Sequence, residues 1–414
     1  MEQELTTLKA TLADAFNQFA GPLKSELSHS LHTYEKDHLP HKQLSELAAE
    51  AVDLLHSIEQ LLTPPPLIVA DHFLGYVDTK CLCAVVQLGI PDELQKGGKT
   101  ICELSRSCNA HEHRLKQVMR VLSNKGIFSW DATTQVYRNN ATSELLTRDH
   151  WTQWRNWVDL YGTEFYDIAR GIPASLCLTP GHKTRTAAQI NFNTDENMFT
   201  YFTAQGWLPR LHKTLGGGAT AQSPGIEHDY PWHEFGDGPF LDVGGGEGAL
   251  VALLLRRLRC LRGALFDSTS VIQHARTLFY EKDGKFADVV DQIAPNGLIS
   301  GDFFDQLPSF EFYTMKWCLH DWKDDDASRI LSNIRRAIKV TQRSRLVVLE
   351  SILTDGRSGR LSRYADINMM MTADGQERTE EEWRSLAKEN GWEVARICHL
   401  RGAWPSAIEL RPIA

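Results

Sequence analysis

Over the first 63 residues the apolar positions recur at three- and four-residue intervals: Leu5, Leu8, Leu12, Phe16 and Phe19, then Leu44, Leu47, Ala51, Leu54, Leu55, Ile58, Leu61 and Leu62. That spacing predicts amphipathic helices. The run Pro64-Pro65-Pro66 ends the segment, because proline lacks an amide donor and restricts its predecessor. Helices of this kind have no core of their own and are expected to pack on a partner subunit or on the next domain.

From Asp71 to about Glu144 the pattern reads helix, helix, helix, then a short hairpin. Within it, TICELSRSCNAHEHRLKQVMRVLSNKGIFSW has helix-turn-helix spacing and TQVYRNN reads as a wing strand. Residues 151 to 215 are rich in aromatics, among them Trp154, Trp157, Tyr161, Phe165, Phe199 and Phe202. A helical core between domains is the expected place for most of them, and a few are expected to line a pocket for a flat apolar ligand. The stretch from Gly216 to Pro239, with its Gly, Pro and acidic residues, reads as a linker.

After Phe240 apolar strands alternate with helical stretches: FLDVG, GALFD, GLISGDFF, EFYTMKW and RLVVLES, with helices through Leu255, around Val271 to Phe279 and from Asp324 to Ile338. This alternation predicts an α/β unit with a mainly parallel sheet and ligands at the C-terminal strand ends. The expected organisation is a helical, winged-helix-like domain over 1–150, a helical pocket region and linker over 151–239, and a Rossmann-like domain over 240–414.

Composition narrows the function classes. With 414 residues and 42 % hydrophobic content the chain can bury substantial cores. A net charge of -9 argues against a nucleic-acid surface, which needs a basic excess to displace phosphate counterions. His111, Glu112, His113, Arg114 and Lys116 give the winged-helix stretch a mixed-charge helix start, so no nucleic-acid partner is expected. No apolar run is long enough for a bilayer, and MEQELTTLKATLADAF lacks the apolar core of a signal segment, so a cytoplasmic protein without membrane partners is expected. The eight cysteines are scattered, and Cys81 and Cys83 have no second cluster to complete a zinc site; reduced thiols and no metal are expected.

The stretch FLDVGGGEGAL, Phe240 to Leu250, ends an apolar run in the carboxylate of Asp242 and then breaks into four glycines within five residues. A strand running into a tight turn at a helix N-terminus lets backbone close on a nucleotide-like ligand. Gly244, Gly246 and Ala249 fit the spacing for a dinucleotide, whereas Gly244, Gly246 and Gly248 fit the spacing seen with S-adenosylmethionine. Asp267, closing GALFD, is placed to accept hydrogen bonds from ribose hydroxyls of either.

Five blocks decide between them. LDVGGGEG, LFDSTSVI, GDFF, MKWCLHDW and DGQERTEEEW follow in an order and at spacings that closely resemble the plant and fungal O-methyltransferases of the caffeate type, which use S-adenosylmethionine. They span about residues 240 to 385, and the helical front half also resembles that family's dimerisation and winged-helix region. The resemblance implies a C-terminal Rossmann-like methyltransferase domain behind an N-terminal, mainly helical domain, and a homodimer sharing the acceptor pocket.

By position, the resemblance places Asp242, Gly244, Gly245 and Gly246 at the methionine part of the cofactor, Asp267 at the ribose, Asp302 and Phe303 at the adenine and Lys316 at the cofactor's edge. The family usually has Leu-Pro after the ribose aspartate where this chain has Ser268-Thr269, a departure that leaves the carboxylate in place.

Methyl transfer to oxygen needs alignment and a base for the hydroxyl proton, work that suits a histidine. His320, in CLHDW just past the strand EFYTMKW, occupies the position to which the resemblance assigns the base. Glu350 and Glu377 match the family's two flanking glutamates, and Asp321 is adjacent. Trp317, Asn368, Met369, Phe199 and Phe202 are the expected acceptor contacts, with one of Met369, Met370 and Met371 lining the pocket.

The expected reaction is S-adenosylmethionine-dependent methylation of a hydroxyl on an aromatic or polyketide-type small molecule of secondary metabolism. The alternative is a fungal member of the fold that keeps the cofactor as an electrostatic element and acts as a dehydratase or pericyclase. His320 and Glu377 favour methyl transfer, since a non-methylating enzyme has no need of that base.

Overall fold

A computed structural model describes residues 1–33, 35–36, 38–178 and 184–413. The periodic N-terminal stretch forms helices at Glu2–Ala20 and Lys42–Leu62, neither with a buried residue. Phe16, Phe19, Leu47, Leu54 and Leu55 stay exposed along them. The second helix is tied to the C-terminal half by Asp53, which accepts hydrogen bonds from Ser358 N and Oγ, both at 2.6 Å.

Pro65 then starts a new helix, Pro65–Leu74, where a missing amide donor costs nothing. The helix-turn-helix pattern becomes Ile101–Ser107 and Glu112–Asn124, followed by the antiparallel hairpin β1 (Ser129–Asp131) and β2 (Val136–Arg138). A capping box at Thr100 and Glu103 starts the first helix. Leu104, Leu115, Met119, Leu122, Phe128 and Tyr137 form this unit's own core.

The expected linker from Gly216 to Pro239 is a correction. Residues Leu208–Asp229 form one 22-residue helix, and Trp232 and Phe235 beyond it are buried. Its small residues reflect close packing: a Cβ on Gly218 would lie 2.4 Å from the Trp157 ring and one on Gly225 2.2 Å from the Arg401 carbonyl oxygen. Pro224, inside the helix, cannot donate to the carbonyl four residues back, and Ser223 Oγ donates to that Thr220 oxygen at 2.8 Å instead.

The C-terminal half is a seven-stranded sheet in the order β10-β11-β7-β6-β3-β4-β5. Its strands are β3 (Pro239–Val243), β4 (Arg262–Asp267), β5 (Ile293–Ser300), β6 (Phe312–Lys316), β7 (Arg345–Glu350), β10 (Trp392–His399) and β11 (Ser406–Pro412); β8 (Ile352–Leu353) and β9 (Arg378–Thr379) pair apart from it. From β5 to β7 the pairing is parallel, and β11 and β10 close the edge antiparallel. The chain winds outward from β3 through β4 and β5, then returns to β6 and β7 on the other side. This puts the topological switch point between β3 and β6, the crevice where such sheets bind ligands. Two apolar cores cover the sheet. Among the described residues, no helix is long and apolar enough to cross a membrane.

Candidate active site

At the end of β3 the chain turns through Gly244, Gly246 and Gly248, all at positive φ (66°, 57° and 89°), before the helix Ala249–Arg257 begins. Only glycine takes that conformation without strain. A Cβ on Gly244 would come within 2.9 Å of Cys318 Sγ, and one on Gly245 within 2.3 Å of Asp242 Oδ2, so the turn lies flat on the strand ends. Among the described residues a Cβ at Gly246 would meet nothing within 4 Å, so the lip of the turn faces open space.

Carboxylates gather around the turn. Asp267 Oδ2 accepts from Gly246 N at 2.9 Å and Oδ1 from Ser268 N at 2.7 Å. Asp242 is fully buried; its Oδ1 accepts from Thr314 Oγ1 at 2.7 Å, while Oδ2 has no hydrogen-bond partner among the described residues. Burial pushes the Asp242 carboxyl up to about 7, against the pull of Thr314 and Lys316. Lys316, closing β6, is lowered by its own burial, and its ammonium lies 4.3 Å above the Trp317 ring. Phe303 would be 3.8 Å from a Cβ on Gly244, and Asp302 is exposed beside it, with Oδ1 accepting from Phe304 N at 2.8 Å.

Past β6, Trp317 sits at φ 50°, a conformation that turns the chain sharply into the short helical turn Leu319–Asp321 carrying His320. Glu350, at the end of β7, fixes this turn by accepting from Cys318 N and Leu319 N at 2.8 and 2.9 Å. The segment after the 360–373 helix grips it from the other side: Gln376 N donates to His320 O at 2.8 Å, and a Cβ on Gly375 would come within 2.1 Å of that oxygen.

His320 Nδ1 lies 2.9 Å from Glu377 Oε1 and 3.3 Å from Glu350 Oε2, and Nε2 is 3.8 Å from Asp321 Oδ1. Burial alone would lower the imidazolium pKa, but Glu350, Glu377 and Asp321 outweigh it and hold the ring well above the usual histidine range. Burial and the neighbouring carboxylates push Glu350 upward, opposed by the imidazolium. One ring nitrogen is thereby tied to acid. His320 itself lines a cavity of about 760 Å³, walled by Trp154, Trp157, Tyr161, Phe165 and Trp404 among others.

Comparison with known proteins fits this geometry. Residues 237–393 match the O-methyltransferase domain family and residues 70–149 the O-methyltransferase dimerisation domain. The chain is 53 % identical to the O-methyltransferase aclM of Aspergillus oryzae over 100 % of its own length and 95 % of that protein's. The chain belongs to the O-methyltransferase family. A trimodular acetylaranotin synthesis protein of Aspergillus terreus is 49 % identical over 98 % of this chain and 38 % of its own length. CalO1, a methyltransferase of calicheamicin biosynthesis solved with S-adenosylhomocysteine, shares the fold at 22 % identity and a TM-score of 0.71, covering 84 % of this chain and 98 % of CalO1. This O-methyltransferase of secondary metabolism uses S-adenosylmethionine.

Within the methyltransferase, Trp317, Asn368 and Met369 line the cavity, as does Phe199, which is 48 % exposed. Phe202 does not and is a correction: one turn along the same helix it points into the packed side, 0 % exposed, with its ring edge-to-face on Trp207 at 5.5 Å. Met371 lines the cavity beside Met369, two methionines where one was expected.

Sequence reasoning missed Trp404 and Tyr364 in the wall and Arg378 beneath the site. The Arg378 guanidinium, 1 % exposed, donates to Trp322 O at 2.8 Å, Leu319 O at 3.3 Å and Asp324 Oδ1 at 2.9 Å, clamping both flanks of the His320 turn. Its position next to Glu377 in DGQERT was the available signal.

Proposed function

We propose that the enzyme methylates a hydroxyl of an aromatic or polyketide-type small molecule held in the cavity, with His320 as general base. The observation that carries this reading is the pairing of His320 Nδ1 with Glu377 at 2.9 Å while the ring lines the cavity.

The residues present fit the methyl donor. The open glycine lip, the orphaned Oδ2 of Asp242 and the surrounding carboxylates suit a ligand that carries positive charge. Asp242 and Gly244–Gly246 would hold its amino-acid end, Asp267 its ribose hydroxyls, Asp302 and Phe303 its adenine, with Lys316 at the edge. When bound, S-adenosylmethionine supplies an electrophilic methyl group on a sulfonium sulfur.

The protein supplies position and a proton acceptor. Aromatic walls orient a flat acceptor and exclude water, so that its hydroxyl meets the His320 end of the cavity. With Nδ1–H donated to Glu377, the neutral ring presents Nε2 as the lone pair that takes the hydroxyl proton. The carboxylates of Glu377, Glu350 and Asp321 then stabilise the imidazolium.

A homodimer in the cytoplasm belongs to the same reading. Exposed apolar faces on the 2–20 and 42–62 helices and the match to a dimerisation domain support the first; eight free cysteines and the lack of a spanning helix among the described residues agree with the second.

Mass spectrometry of the full chain with S-adenosylmethionine and a panel of hydroxylated aromatics tests the reaction. A one-methyl gain with stoichiometric S-adenosylhomocysteine is expected. Acceptor conversion with water loss or unchanged mass, and no S-adenosylhomocysteine, would instead establish a dehydratase or pericyclase.

A further inference from the structure

We propose that the cavity discriminates by charge, taking neutral or cationic acceptors and rejecting those that carry a carboxylate. This rests on reading the cavity as the acceptor site.

Among the described residues that line it there is no lysine and no arginine. Its charged lining groups are Asp321, Glu377 and His320, two of them acids. Tyr161 adds no charge of either sign, since burial pushes its phenol far up and keeps it neutral. Three cations at positions next to the lining, Lys80, Arg210 and Arg378, are engaged elsewhere. Lys80 lies 4.0 Å over the Tyr166 ring and donates to Gly162 O at 2.7 Å. Arg210 pairs with Asp159 at 2.8 Å and Glu164 at 2.6 Å, and Arg378 is held by Asp324 and the carbonyls of Leu319 and Trp322.

The wall itself is aromatic. Trp404 stacks on Trp154 with ring centroids 5.4 Å apart and meets Trp157 edge-on at 4.8 Å. Indole faces are electron-rich and attract cations, not anions. A carboxylate carried into this space loses hydration and feels the charges of Asp321 and Glu377, while the one cationic group among the described lining residues, His320, is already engaged by Glu377, Glu350 and Asp321. A methyl ester of the same shape meets none of these costs. The overlap of hydrophobic fit and negative field therefore sorts acceptors that differ only in one ionised group.

The test uses a hydroxynaphthoic acid and its methyl ester with the full chain saturated in S-adenosylhomocysteine. Quenching of tryptophan fluorescence reads affinity, and release of S-adenosylhomocysteine from S-adenosylmethionine reads methyl transfer separately. We expect the ester to bind at least about tenfold more tightly at neutral pH. Asp321→Asn, and separately Leu361→Lys on the cavity wall, should each narrow that gap severalfold. Equal or tighter binding of the acid, or a gap that neither variant narrows, overturns the inference. An affinity gap without methyl transfer upholds the selectivity and counts against the acceptor reaction alone. Saturable binding by neither compound overturns both.

Discussion

At the scale of single residues, the proposed reaction turns on a histidine whose proton affinity is raised by three acids. Because Glu377, Glu350 and Asp321 stabilise the imidazolium, the neutral ring needed to accept a proton is lost as pH falls through a raised pKa. Activity should therefore climb with pH along a limb lying above the ordinary histidine value of about 6.5. Glu377→Gln keeps a hydrogen-bond acceptor at Nδ1 and removes the charge. We expect it to move that limb to lower pH by roughly one unit or more, read as kcat/KM against pH. An unmoved limb would show that another group titrates. Asp267 is the residue proposed to hold the donor's ribose: Asp267→Ala should weaken S-adenosylmethionine binding about tenfold or more, through lost charge-assisted hydrogen bonds, while the fold survives. Unchanged affinity in a titration would place the ribose contact elsewhere.

Elements put these residues together, and their legibility in the sequence differed for physical reasons. Strands announce themselves as apolar runs, and the residues that close them or come just past them, Gly244, Asp267, Trp317 and Glu350, lie at the sheet's ligand-bearing end because parallel strands all point there. The 208–229 helix was illegible because Gly and Pro read as a linker, whereas Gly218 and Gly225 sit where the Trp157 ring and the Arg401 backbone pack against the helix. Phe202 was misread because spacing alone does not say which face of a short helix meets the cavity. Trp404 was missed because it joins Trp154 and Trp157 from about 250 residues away in sequence, a contact that only the fold creates. Gly218 makes the helix's role testable. Gly218→Leu should displace the Trp157 ring and cut acceptor affinity about tenfold or more, with S-adenosylmethionine affinity unchanged. Normal acceptor binding in that variant would mean that the Trp157 wall does not shape the pocket.

The whole molecule carries more apolar surface at its N-terminus than a single chain covers. Leu54, Leu61, Leu67 and Phe73 are each more than half exposed, in or just after helices that bury none of their own residues. Patches of that extent mark association surfaces. Sedimentation at micromolar concentration should give twice the 46.8 kDa chain mass, and Phe16→Glu with Phe19→Glu should shift the population toward monomer. A wild-type monomer would contradict the dimer. The molecule combines a glycine turn flanked by carboxylates with an aromatic cavity, and His320 lines that cavity. Its role is best tested by measuring single-turnover methyl transfer and S-adenosylmethionine affinity together for His320→Ala with an acceptor from the hydroxylated aromatic panel. We expect the rate to fall about a hundredfold or more with affinity nearly unchanged; an undiminished rate would contradict the assignment of His320 as the base.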